Sequence, residues 1–210
     1  MGIPKSAILA ASLSCAGTVL ATPITFLEMH SQAGDYIGQG KDYLFDADDG
    51  AWSARQAYFG NPAHLNRSVE VSFTAPGFTE WWYLDFSSAR LEADLALGTY
   101  QAQRFPFEPN GFAGLDVSGD GRGSNRLSGT FTVFDLSFGT NGAVDRFAAA
   151  FEQHSENRVP ALIGRVSYRS DAFSETAAVP EPRVLFPIGL GMALLLGVRR
   201  RRVPAARASR

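Results

Sequence analysis

The side chains in this 210-residue sequence that could do chemistry fall in a few places. Asp116-Val117-Ser118-Gly119-Asp120-Gly121 sets Asp116, Ser118 and Asp120 at alternate positions, as the opening of an EF-hand calcium loop does. Such a loop closes on a bidentate glutamate at its twelfth position, which here is Leu127, and no helical pattern flanks it. A solvated hairpin, using Asp and Gly for turn chemistry, explains the same residues. Asp46-Ala47-Asp48-Asp49-Gly50 is a second acidic candidate open to the same two readings. Zinc needs converging His, Cys, Asp or Glu ligands. His30, His64 and His154 are scattered, the sole cysteine is Cys15, and no His-Glu-x-x-His is present. Glu152 and His154 share one face of an expected strand, but two groups do not make a zinc site. No Gly-x-Ser-x-Gly turn offers a nucleophile. Paired carboxylates for glycoside hydrolysis are defined by their separation in space, which sequence spacing does not give. The expectation is a protein that is not an enzyme and has no resident cofactor, with calcium at Asp116, Ser118 and Asp120 as the alternative.

Glu80-Trp81-Trp82-Tyr83 is the remaining feature. Adjacent strand residues point to opposite faces, so if one of Trp81 and Trp82 enters the core the other faces away. An outward tryptophan beside Tyr83 can stack on sugar rings; the alternative is a second sheet face covered by a loop.

The elements that must position these residues read as strands. Val69, Val71 and Phe73 alternate with polar neighbours before Ala75-Pro76-Gly77 interrupts them. Residues 81–86, 97–103, 127–138, 144–153 and 162–168 carry further strand signals between glycine-containing turns. Thr130-Phe131-Thr132-Val133-Phe134 is rich in types that suit a pleated sheet. Phe147-Ala148-Ala149-Ala150-Phe151 fits a helical turn or a strand, and the strand is preferred because Phe147, Ala149 and Phe151 then share a face. Seven or more short strands predict an all-β domain, an antiparallel sandwich or jelly roll over residues 22–178, with most of the sixteen phenylalanines in its core.

Charge divides the chain. Residues 22–179 hold 20 Asp and Glu against 11 Lys and Arg, a net −9, whereas the segment from Pro180 holds seven arginines and one glutamate. So acidic a domain argues against nucleic acid and anionic lipid as partners, because both need a basic face. At the N-terminus, Lys5, an apolar stretch over residues 7–20 and Val19-Leu20-Ala21 predict a signal peptide of residues 1–21, cut by signal peptidase. Lipidation at Cys15 is the alternative; Ser12 stands where a leucine is wanted. Cleavage after Ala21 leaves no cysteine, so the exported domain rests on packing without disulfides.

Near the other end, residues 184–198 are uncharged and apolar, followed by Arg199-Arg200-Arg201-Arg202. Fifteen helical residues span about 22 Å, short of a hydrocarbon core of roughly 30 Å. The arginine cluster predicts a cytoplasmic C-terminus (204–210) with the domain outside. Val179-Pro180-Glu181-Pro182, this marginal anchor and the arginines together resemble the PEP-CTERM sorting domain, here 179–203. The resemblance implies cleavage by an exosortase, a membrane transpeptidase-like enzyme, in a bacterium that makes exopolysaccharide. It implies transient anchoring in the inner membrane and delivery to the surface or matrix, and a structural, non-catalytic role beside exopolysaccharide is the functional expectation. A carbohydrate-binding module is the second expectation and a surface hydrolase the third.

Tyr36-Ile37-Gly38-Gln39-Gly40, Arg104-Phe105-Pro106-Phe107, the stretch from Ser118 to Asn125, and Phe151-Glu152-Gln153-His154-Ser155-Glu156 resemble an uncharacterised bacterial extracellular β-domain that travels with such tails. Its members carry cysteines where Ser124 and Ser155 stand here. That double departure implies that the two positions touch, as they would if the strands at 127–138 and 144–153 form a hairpin turning near 139–142.

Overall fold

The computed structural model describes residues 22–57, 67–140 and 143–174. The expected signal peptide, the tail 179–203 with its apolar helix and arginines, and residues 204–210 lie outside the described residues. Among the described residues no helix is long and apolar enough to cross a membrane.

Ten strands follow in chain order: β1 (Ile24–Ser31), β2 (Asp42–Asp46), β3 (Ala51–Arg55), β4 (Ser68–Thr74), β5 (Trp81–Ser87), β6 (Gly98–Arg104), β7 (Ala113–Gly119), β8 (Leu127–Phe138), β9 (Val144–Ser155) and β10 (Leu162–Ser170). Hydrogen bonding joins them in one sheet of order β2-β1-β10-β9-β8-β6-β7-β5-β4-β3. The all-β class is therefore as the alternating residues predict. The fully antiparallel arrangement is corrected: β6 runs parallel to β7 from Ala102 opposite Ala113 to Arg104 opposite Leu115. Strand direction depends on how the 105–112 connection folds back, and alternation within either strand carries no trace of it.

The sheet curls until its ends meet. Phe45 on edge strand β2 stacks on Phe73 of β4 with ring centroids 4.3 Å apart, and Tyr43 meets Trp82 of β5 edge-on at 4.9 Å. Trp52 on the other edge strand, β3, packs against the same Phe73. The enclosed core runs through Leu27, Val71, Phe73, Trp82, Leu84, Phe86, Leu115, Phe131, Phe147 and Phe151, with aromatic contacts centred on Phe86. Edge-on and tilted ring pairs of this kind suit the aromatic quadrupole and add to the burial of apolar area. Phe147, Ala149 and Phe151 do line this core from β9. The phenylalanine expectation needs trimming, because Phe78, Phe107, Phe112 and Phe134 are exposed.

The β8–β9 hairpin is the longest ladder, running from Leu127 opposite Ser155 to Phe138 opposite Val144, with register shifts near Asp135 and Phe138. The hairpin expectation is met. Strand β7, by contrast, departs from both the calcium loop and the solvated hairpin that its Asp and Gly residues predict. Its Asp116 and Ser118 alternate with the buried Leu115 and Val117, so the stretch is a half-buried strand up to Gly119 and turns only at Asp120.

Candidate functional site

Two regions gather the polar side chains. The first is the outer face of β4, β5 and β7. Trp82, Leu84 and Phe86 enter the core, so Trp81, Tyr83 and Asp85 point away from it; Trp81 is half-buried and Tyr83 is 43% exposed. Trp82 fits because its cross-strand partner is Gly119, where a Cβ would lie 2.5 Å from the indole. Its Nε1–H donates to Glu80 Oε1 at 3.1 Å. Ser72 and Ser118 flank Tyr83 across the strands, and the next row places Glu70, Asp85 and Asp116 side by side.

Like charges directly opposite one another repel, and burial adds to the cost of ionising them. Burial, then the neighbouring Glu70 and Asp116, holds the Asp85 carboxyl well above the usual carboxylate range. Burial pushes Asp116 up to about 6 against the pull of nearby Arg104. Asp116 Oδ1 is closed off from solvent and has no hydrogen-bond partner among the described residues. Glu70 is spoken for by Arg55, whose Nε and Nη2 donate to its two oxygens at 2.8 and 2.9 Å. Glu108, buried and also raised by burial, lies over Gly114 on the same side, where a Cβ would come within 3.0 Å of its carboxyl carbon.

The three residues expected to hold calcium do not converge. Asp116 and Ser118 lie in the strand, whereas Asp120 Oδ1 accepts the Trp81 amide at 3.0 Å and Oδ2 faces Arg122 at 3.6 Å. The acidic stretch at residues 46–50 is consumed locally: Asp46 Oδ1 accepts the Asp48 amide at 2.9 Å and Asp49 Oδ2 accepts the Asp46 amide at 2.8 Å. Among the described residues no group of three or more His, Cys, Asp or Glu side chains is arranged to hold a metal ion. Glu152 and His154 do pair, with Oε1 and Nε2 2.9 Å apart.

The second region is the end of the sheet where the β1–β2, β7–β8 and β9–β10 loops meet. A cleft of about 310 Å³ opens between them, with Tyr36, Asn125, Glu156, Arg158 and Pro160 in its lining. Asp35, 3% exposed, accepts Ser31 Oγ at 2.8 Å and the Gly38 amide at 2.7 Å, which turns the neighbouring Tyr36 outward. Glu156 Oε1 accepts the Asn125 amide at 2.6 Å, and this bond holds its carboxyl below the usual range.

Strand alternation placed the two tryptophans on opposite faces and the family resemblance implied the touching serines, but neither marked Asp85, Glu108 or the cleft. Asp85 becomes notable only because cross-strand register sets Asp116 beside it, and the cleft exists only where three distant loops meet. The sorting residues Val179, Pro180, Glu181, Pro182 and Arg199 to Arg202 lie outside the described residues. No protein-family model matches this chain, and neither does any curated protein or solved structure.

Proposed function

We infer that the chain is an exported protein, sorted through its tail by an exosortase-like enzyme to the cell surface or extracellular matrix, where it serves a structural, non-catalytic role alongside exopolysaccharide. The observation that carries this reading is the order of Val179-Pro180-Glu181-Pro182, a marginal apolar anchor and four arginines behind an acidic β-domain without cysteine. The domain suits such a role. Its core is continuous, its edge strands β2 and β3 are only five residues each, and short edges resist unwanted strand pairing. The apposed halves of the curled sheet fit a sandwich-like description. The Asp85–Asp116 pair does not favour a hydrolase, since Asp116 Oδ1 is closed off from solvent. Calcium bound by Asp116, Ser118 and Asp120 would compete with the Trp81 amide and Arg122 for Asp120.

Replacing Pro180, Glu181 and Pro182 by alanine tests the sorting. The variant should stay uncleaved in the inner-membrane fraction; normal release to the surface would refute the reading.

A carbohydrate-binding module is the second reading. It is favoured by Tyr83 and Trp81 lying outward together, with the hydroxyls of Ser72 and Ser118 flanking Tyr83.

A further inference from the structure

We infer that the outer face of β3, β4, β5 and β7 holds an uncharged polysaccharide chain, lying across the strands on a row of hydroxyl-bearing residues: Ser53, Ser72, Tyr83 and Ser118. The inference rests on the carbohydrate-binding reading and gives that face a ligand class, a direction and a length.

Cross-strand register builds the row. Ser53 of β3 lies opposite Ser72 of β4, Ser72 opposite Tyr83 of β5, and Tyr83 opposite Ser118 of β7. All four point away from the core, because their strand neighbours pack into or against it: Trp52 and Ala54, Val71 and Phe73, Trp82 and Leu84, and Val117. Neighbouring strands are about 4.8 Å apart, so a line across four of them is about 14 Å long. The strand spacing is close to the rise of one sugar along an extended β-linked chain, so successive sugars meet successive strands. A line of this length serves about three of them.

These hydroxyls are uncommitted. None of the four has a hydrogen-bond partner among the described residues. On the outer face of β6 and β8, by contrast, the Thr99 and Thr132 hydroxyls bond to each other at 2.8 Å. Ser53 is exposed, Tyr83 is 43% exposed, and Ser72 and Ser118 are half-buried. The tyrosine ring gives the apolar face of a pyranose a surface, and serines on both sides of it can exchange hydrogen bonds with the sugar hydroxyls. Trp81 borders the row two residues back along β5 and extends the aromatic surface.

Charge sets the class of sugar. The row on one side, Ala51, Thr74 and Trp81, carries no charge. The row on the other side holds Glu70, Asp85 and Asp116 against Arg55, whose Nε and Nη2 are both spent on Glu70. Arg104, beyond Asp116, is directed over the Phe107 ring at 4.8 Å. A uronate on the hydroxyl row would meet carboxyl groups beside it and no unpaired base in either flanking row, and like charges so placed repel. An uncharged sugar meets no such penalty.

The test is calorimetric titration of the full chain, purified in detergent, with neutral β-linked oligosaccharides of glucose, mannose and xylose, from disaccharide to hexasaccharide, and with tetragalacturonate. At least one neutral series should bind, its affinity rising to the trisaccharide or tetrasaccharide and changing by less than about twofold beyond, with tetragalacturonate at least about tenfold weaker. Tyr83→Ala should weaken binding by about tenfold or more. Ser72→Ala and Ser118→Ala should each weaken it by about threefold to tenfold at the wild-type melting temperature. Gln101→Ala, exposed on β6 away from the row, should bind as wild type does. Full affinity for the disaccharide, or affinity still climbing at the hexasaccharide, would overturn the row as the footprint, and so would unchanged affinity in both serine variants. Tetragalacturonate binding as tightly as the neutral series would overturn the uncharged ligand. If no neutral series bound, the inference would fall. The carbohydrate reading would still stand if another glycan on an array bound and lost affinity in Trp81→Ala or Tyr83→Ala, and would fall too if no glycan bound.

Discussion

Ser124 Oγ donates a hydrogen bond to Ser155 Oγ across 3.0 Å, and both side chains are buried although 31 positions separate them. Ser155 is the last residue of β9, opposite Leu127 at the start of β8, and Ser124 lies three residues before that start. The contact joins the open ends of a hairpin and substitutes a polar bond for a covalent one.

Cysteines at both positions should therefore bond. The variant Ser124→Cys, Ser155→Cys should oxidise on export, and by chain entropy a loop of this length adds about 3–4 kcal/mol less any strain. Free thiols persisting under oxidising conditions would count against the pairing. Ser155→Ala alone strands a buried hydroxyl and should cost about 1–3 kcal/mol in denaturant melts, whereas the double alanine variant should cost less than the two singles summed.

Gln153 supplies a hydrogen-bonding edge that β6 is too short to give. The ladder of β6 on β7 ends with Arg104 opposite Leu115, and two residues further on the Gln153 side chain takes over. Its Oε1 accepts the Val117 amide at 2.7 Å and its Nε2 donates to the Val117 carbonyl at 2.8 Å, in full burial. Gln153→Leu preserves apolar packing but orphans both backbone groups, at roughly 1–3 kcal/mol each. A melting temperature equal to wild type would contradict this role.

The tryptophans should separate in a stability assay. Trp82→Ala empties a core position and should cost about 3–5 kcal/mol, whereas Trp81→Ala, half-buried on the outer face, should cost about 1–2 kcal/mol. If Trp81→Ala and Tyr83→Ala retain stability but lose polysaccharide binding, the outer face is a ligand surface. Equal and large losses of stability from both tryptophan variants would mean that both are packing residues.

Asp116 should make the fold less stable as pH rises. Its folded pKa, about 6, lies above the ordinary 3.8. Between those values the folded chain keeps a proton that the unfolded chain has released, so this stabilisation is complete in acid and lost as pH climbs through about 6. The contribution amounts to at most about 3 kcal/mol, at 1.36 kcal/mol per pH unit. Asp116→Asn removes it, so the stability of the variant relative to wild type should grow from pH 4 to 7. A difference independent of pH would argue that Asp116 titrates normally.

The alternation of Val69, Val71 and Phe73, and of the residues through β8 and β9, determined that these segments are strands and which side faces inward, because side-chain direction has a period of two. The same logic separated Trp82 from Trp81. Residue chemistry at the two ends likewise provides the export and sorting expectations without any folded structure. Tertiary structure alone decided the parallel pairing of β6 and β7, the meeting of β2 with β4 and β5, and the setting of Asp85 beside Asp116. Each depends on cross-strand register and sheet curl, which come from packing the whole set of strands around one core. The cleft depends on three loop closures at once: Arg122 to Ile37, Ser124 to Ser155 and Gln32 to Ala161 bring together segments up to 129 positions apart. No local pattern in any one loop encodes that meeting, because its energy resides in contacts that form only after the sheet has curled.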